Sequence, residues 1–288
     1  ALYLEGRALL AKGRAGSARE KFENALRLLP DGTTKLRASL EFYHGVCFDQ
    51  TGRSAAGDSE ILKALDGGFR PETANEAILA SRALLRSKQT QRAITMLEAI
   101  TLNLVSPSAE AWAMLGRAHQ ANSATALALS AFNQSLSIRP DQANTLALRG
   151  SLLRELGDFG GAAADTESAL ILDPSNAALT YSLGIIRLQL GSLSAAEQSI
   201  GLTAQLLPEN SGIQLLHALL AYTINAPKTA RTSLNQYLTR VPERINESAF
   251  YLEYILTAKQ DANLAILQLN QRTKATEASL ALKNFLAY

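Results

Sequence analysis

Three landmarks recur every 34 residues through the middle of this 288-residue chain. Gly116, Gly150 and Gly184 keep that step, as do Ala128, Ala162, Ala196 and Ala230, and Pro140, Pro174, Pro208 and Pro242. A fixed period of this length constrains the fold more than composition does. Each period is one supersecondary unit that cannot bury its apolar face alone, so neighbouring units must stack to form a continuous core. The best-formed copy runs from Ala109 to Gln142 and contains Trp112, Leu115, Gly116, Ala128, Phe132 and Pro140.

The residue types at these landmarks predict two antiparallel helices per unit. A small residue at the Gly116 position lets the first helix press against the second, and Ala128 does the same from the other side. A larger side chain there would overpack the seam at a cost of about 1–3 kcal/mol. Phe132 fills the space between helices. The prolines lack the N–H needed to continue the second helix. Gly157-Asp158 and Gly191-Ser192 supply the turn within a unit. Trp112 reads as the bulky plug of its first helix, a core residue.

The same landmarks divide the chain into units at about 1–32, 38–71, 74–107, 109–142, 143–176, 177–210 and 211–244, with a degenerate cap at 245–288. The first unit shows Gly6, Gly13, Ala18, Phe22, Ala25 and Pro30, and leaves through Asp31-Gly32. Thr33 to Arg37 reads as an insertion that breaks phase. The second unit replaces the usual second-helix Ala with Gly57 and leaves through Asp66-Gly67-Gly68. The third has Lys88 where a turn Gly is expected, and in the seventh Pro227 falls in the turn. The cap keeps helical periodicity (Phe250, Tyr251, Tyr254, Ile255; Leu264, Ile266, Leu267; Leu280, Leu282, Phe285, Leu286) without the landmarks, as terminal repeats do. The first residue already lies inside a repeat, which is expected of an excised or mature fragment.

The spacing W-x2-L-G…A-x3-F…P at Trp112, Leu115, Gly116, Ala128, Phe132 and Pro140 resembles the tetratricopeptide-repeat (TPR) family, with His119 in the place of the family's Tyr. The resemblance implies an all-α fold, a right-handed α-solenoid of stacked antiparallel helix pairs forming one domain. It also implies that the first helix of each unit lines a concave groove through its second, fifth, ninth, twelfth and thirteenth residues. Carried over, this gives Tyr3, Arg7 and Leu10; Phe42, Val46 and Asp49; Ile78, Arg82, Leu85 and Arg86; Glu110, Ala113, Arg117 and Gln120; then Asn144, Ala147, Ser151, Arg154 and Glu155. The last two units supply Tyr181, Ile185, Leu188 and Gln189, then Leu215, Leu219 and Tyr222.

Two partner-binding sets follow. Arg82, Arg86, Arg117 and Arg154 would form a row suited to acidic side chains or a C-terminal carboxylate, which guanidinium grips in a bidentate way. The alternative is a solvated face whose arginines pair within the protein. Tyr181, Ile185, Leu188, Leu215, Leu219 and Tyr222 would form an apolar strip for an amphipathic helix or extended segment. Its alternative is coverage by helix packing or by the C-terminal cap. The family's two-carboxylate clamp is absent, since Tyr3 and Arg7, Phe42 and Val46, and Ala113 and Arg117 stand where it needs Lys and Asn. The asparagine ladder of the sugar-transferring members is absent too: Tyr43, Met114, Leu148, Ser182 and Leu216 occupy its places.

Other function classes receive little support. The formal net charge is +2, which is no nucleic-acid footprint. Apolar runs stop well short of the ~20 residues a membrane span needs. With a single cysteine, Cys47, no internal disulfide forms. His44, His119 and His217 lie in different units at helix-packing positions. No H-E-x-x-H, C-x-x-C or phosphate-binding glycine loop occurs, so no metal, cofactor or catalytic set is implied. Gly160-Gly161 matches no phosphate fingerprint. The expectation is a non-catalytic scaffold of bacterial type that binds a protein or peptide. The alternatives are a periplasmic scaffold of an envelope machine (exopolysaccharide export, outer-membrane or pilus assembly) and a regulatory arm of a larger enzyme. The apolar stretches Ala1–Leu4 and Phe285–Tyr288 admit self-association. Periplasm and cytoplasm both stay open.

Overall fold

A computed structural model describes residues 1–30, 33–103, 108–241 and 247–258. Among them are fifteen α-helices and no strands: α1 (Leu2–Ala11), α2 (Ala15–Arg27), α3 (Thr34–Gln50), α4 (Ser54–Asp66), α5 (Ala74–Arg86), α6 (Thr90–Asn103), α7 (Ala109–Ala121), α8 (Thr125–Ile138), α9 (Ala143–Glu155), α10 (Phe159–Leu172), α11 (Ala177–Gln189), α12 (Leu193–Leu206), α13 (Ser211–Thr223), α14 (Pro227–Arg240) and α15 (Glu247–Ala258). None is long and apolar enough to cross a membrane. The chain forms two compact units, Ala1–Leu152 and Leu153–Tyr288. Helix hairpins build both: α1 packs on α2, α3 on α4, α5 on α6 and α7 on α8 in the first, and α11 on α12 and α13 on α14 in the second.

Each hairpin closes through one residue with positive φ. Gly13, Gly52, Gly157 and Gly191 take this place in four hairpins, and Lys88, Ser123 and Asn225 take it in the other three. The hydrogen bonds are the same whichever residue is used. Lys88 N–H donates to Leu85 O at 3.1 Å and Gln89 N–H to Leu84 O at 2.8 Å. Gly191 N–H donates to Leu188 O and Ser192 N–H to Arg187 O, both at 2.9 Å. The seventh turn is therefore made by Asn225. Pro227 is not in the turn; it is the first residue of α14, where its missing N–H costs nothing. Thr34–Arg37 likewise form the first turn of α3 rather than a separate insertion. Asp31-Gly32, Pro107, Pro242 and the cap residues from Leu264 onward lie outside the described residues.

Between hairpins the chain relies on side-chain caps. Thr73 forms a capping box with Glu76 at the start of α5. Ser108 accepts from Ala111 N–H at the start of α7, Asn176 from Ala178 and Leu179 on α11, and Asn210 from Ile213 on α13. At the end of α8 the Gln142 amide donates to Ser135 O at 3.1 Å and to Arg139 O at 2.7 Å, terminating that helix before Pro140.

The small landmarks sit where the helices touch. A Cβ on Gly6 would come within 2.5 Å of the Phe22 ring, one on Gly116 within 2.5 Å of the Phe132 ring, and one on Gly184 within 2.5 Å of Ile200 Cδ1. Phe22, Phe132 and Ile200 are all fully buried. The α3–α4 hairpin is closer still, because backbone meets backbone. A Cβ on Gly57 would lie 2.7 Å from Gly45 O and 2.9 Å from Asp49 N. Trp112, placed in the core by its landmark position, is half-buried and packs against the cluster around Leu97, Met114 and Leu115.

Two stability predictions follow. Gly57→Ala restores the repeat's usual residue and has the higher helix propensity, yet the main chain of α3 cannot yield to a side chain easily. Urea denaturation should show a loss of about 1–3 kcal/mol. Lys88 is exposed, so Lys88→Gly removes no packing and relieves its left-handed backbone. It should raise stability by about 0.5–1 kcal/mol, read as a higher urea midpoint at unchanged slope.

Candidate functional site

The first unit brings together a guanidinium and two rings on α1 and α3 with a carboxylate on α5. The Arg7 guanidinium lies 4.8 Å from the Tyr43 ring centroid and 5.7 Å from that of Tyr3. Tyr43 and Tyr3 meet edge to face at 5.9 Å. The Tyr43 hydroxyl donates to Glu76 Oε1, joining α3 to the capping box of α5. Glu76 Oε2 also accepts from the backbone N–H groups of Glu72 at 2.9 Å and Thr73 at 3.1 Å. Burial pushes the Glu76 carboxyl up, but the bonds from Tyr43 and the two backbone donors outweigh it and hold its pKa below the ordinary value. Burial and the Glu76 contact push the Tyr43 phenol well above its usual pKa.

The four arginines of the expected row have different environments. Arg82 on α5 and Arg117 on α7 are exposed and form no ion pair among the described residues. They hold the same place on helices that pack against each other. Arg86 is exposed too, but it is occupied. Its Nε and Nη2 bond Asp58 at 2.8 and 2.6 Å, and Nη2 also reaches Asp49 Oδ1 at 2.9 Å. Hydrogen bonding to Asp58 raises its pKa further. For Arg86 the alternative of pairing within the protein applies: two carboxylates already engage it. Arg154 lies in the second unit, half-buried, with an Nε that is buried and has no hydrogen-bond partner.

The apolar strip of the second unit is also divided. Tyr181 on α11 is 40% exposed, and Ile185 and Leu188 on the same helix are half-buried. Leu219 and Tyr222 on α13 are half-buried against the cluster formed by Ala218, Ala230, Leu234 and Leu252. Leu215 is 8% exposed and belongs to that cluster, so it is a core residue and not part of an open strip. Phe42, Val46 and Ile78, groove residues by position, are core for the same reason.

Sequence reasoning singled out the arginines by register but missed the Asp49 and Asp58 carboxylates that remove Arg86, because they come from two other helices. Arg7 stood among the groove positions without its role. Its setting on two tyrosines depends on side-chain directions that spacing does not give.

Cys47 and the three histidines sit within the helix packing. Cys47 is fully buried and its thiol is pushed up to about 12 by burial. His44 Nε2 lies 3.4 Å from Glu23, His119 Nε2 3.9 Å from Glu98 and His217 Nε2 2.9 Å from Glu197. Among the described residues no three His, Cys, Asp or Glu side chains group closely enough to hold a metal ion.

A tetratricopeptide-repeat family model matches residues 78–143 and 148–211. No curated protein sequence matches the chain. Several solved structures share its fold. The C-terminal part of a TPR repeat-containing protein from Cytophaga hutchinsonii aligns with a TM-score of 0.63 at 13% identity, covering 87% of this chain and 98% of that one. MamA from Desulfovibrio magneticus aligns with a TM-score of 0.52 at 17% identity, covering 62% of this chain and 100% of that one. PilF from Pseudomonas aeruginosa aligns with a TM-score of 0.52 at 21% identity, covering 74% and 96%. At these identities the likeness establishes the fold.

The Glu76 network carries a pH signature. A carboxyl whose folded pKa is depressed contributes stability that is complete above its unfolded pKa, about 4.3, and is lost as pH falls through the folded value. Glu76→Gln should cost roughly 1–2 kcal/mol at pH 7. It should also flatten the acid limb of the stability curve, measured by urea titration at several pH values.

Proposed function

We propose that this tetratricopeptide-repeat chain is a non-catalytic scaffold that holds a partner protein or peptide on its first helices. The observation carrying this reading is the pair Arg82 and Arg117. Two exposed guanidinium groups at matching places on packed helices, with no carboxylate partner among the described residues, suit an acidic segment or a chain-terminal carboxylate. Each can offer two parallel N–H donors to a carboxylate. Arg7, seated on Tyr3 and Tyr43, extends the same chemistry to α1. Preformed helices lose little entropy on binding, so the incoming segment bears most of the ordering cost.

In the second unit, Tyr181, Ile185, Leu188, Leu219 and Tyr222 give an apolar contact surface that is partly open. It would receive apolar side chains of a partner through its exposed ring and half-buried aliphatic groups.

The test is capture of partners from the source cell, read by mass spectrometry. Wild type would be compared with an Arg82→Glu/Arg117→Glu double variant and an Ile185→Asp/Leu219→Asp double variant. A partner held by wild type should be lost by the arginine variant, with its melting temperature unchanged because neither arginine has an ion-pair partner to lose among the described residues. A partner retained at equal yield by both variants would sink the assignment. For the second variant, a collapse of helical circular dichroism would make Ile185 and Leu219 core residues instead.

A further inference from the structure

A cavity of about 390 Å³ opens in the second unit between α12, α13 and α14. Its chemistry differs from that of the partner surfaces just described. The walls include Gln214, His217, Lys228, Thr229, Thr232 and Ser233, and no carboxylate lines it. Lys228 is exposed and has no ion pair among the described residues.

The polar walls are held in place. His217 Nε2 bonds Glu197 Oε1 at 2.9 Å, and Ser233 Oγ meets His217 Nδ1 at 2.9 Å. The imidazole is thus fixed from α12 on one side and α14 on the other. Gly201 makes room for it, since a Cβ there would lie 2.8 Å from His217 Nε2. The Thr232 hydroxyl donates to Lys228 O at 3.1 Å, which leaves its oxygen lone pairs as acceptors. Gln214 is 1% exposed, and its amide nitrogen donates to Ala204 O at 3.0 Å and to Pro208 O at 3.4 Å. Those two carbonyls fix which end of the amide is the donor. The remaining atom, Gln214 Oε1, is buried with no hydrogen-bond partner among the described residues. A buried acceptor without a donor is unusual and calls for one.

We propose that this cavity binds a small hydroxylated carboxylic acid. The Lys228 ammonium supplies the one formal charge, which selects a single acid group. Thr232 offers its lone pairs to hydroxyl donors at the mouth, and Gln214 Oε1, closed off in the wall, is the acceptor a ligand hydroxyl would reach by a small shift of the amide. The volume lies at the lower end of ligand pockets, about 300–1,000 Å³, and suits a metabolite rather than a folded segment. This site uses the second helices α12 and α14 and does not depend on the scaffold reading.

The test titrates the full chain with D-gluconate and follows the imidazole resonances by NMR. Sorbitol supplies the hydroxyls without the acid, and acetate the acid without the hydroxyls. The chain has three histidines, and His44 and His119 lie in the first unit as internal controls. Gluconate should shift the His217 signals saturably and leave the other two unmoved. Sorbitol and acetate should each bind at least roughly tenfold more weakly, as should gluconate to the Lys228→Met variant, since a charged hydrogen bond is lost. Lys228 is exposed, so that variant keeps its fold, and an unshifted His217 spectrum before titration would confirm it. Absence of a saturable His217 shift, equal movement of all three histidines, or equal affinity in Lys228→Met would each overturn the proposal.

Discussion

The fold depends on how closely the two helices of a hairpin approach. At Gly6, Gly116 and Gly184 the first helix has no side chain where a Phe or Ile of the second helix must sit. At Gly45 and Gly57 even that side chain is gone, and the two main chains touch. Interior packing is dense enough that a single methyl group is felt. The close seam fixes the rotation of each helix about its axis. That rotation decides which residues face the neighbouring hairpin and which face solvent, and on α7 the Gly116 contact with Phe132 sets it for Arg117.

A fixed rotation does not by itself make a residue available. Arg82 and Arg86 lie one helical turn apart on α5, yet Arg86 is tied to Asp58 and Asp49 while Arg82 is not. The histidines make the same point about polar residues between repeats. Each faces a glutamate on the preceding second helix: Glu23 for His44, Glu98 for His119 and Glu197 for His217. These contacts join consecutive hairpins through side chains that in other proteins would suggest catalysis. Their place between helices ties them to packing.

Much of this architecture was legible in the sequence, because a 34-residue period repeats its physical cause in every copy. The landmarks placed the seams, and the left-handed turn could be placed at Lys88 by phase even though the residue type argued against it. The groove register was less legible. Phe42, Ile78 and Leu215 hold the same place as Tyr181, but the first three are core and Tyr181 is 40% exposed. Position along a helix gives a direction, while burial depends on how far the neighbouring helix extends over it. Asp49 and Asp58 reach Arg86 from 37 and 28 residues away, a pairing that no local pattern encodes.

Helix α13 shows how one repeat can carry unlike surfaces. Leu219 and Tyr222 are half-buried beside the apolar cluster of the second unit. Gln214 and His217 of the same helix wall the polar cavity. An ordinary landmark pattern would put Leu and Gly where His217 and Ala218 stand, and that departure is what admits polar groups to this seam. The His217 ring needs partners once it is buried, and Glu197 and Ser233 supply them from the helices on either side. One helix thus sets the apolar side chains of the core beside a wall of hydrogen-bonded polar groups, each held by a partner from a neighbouring helix.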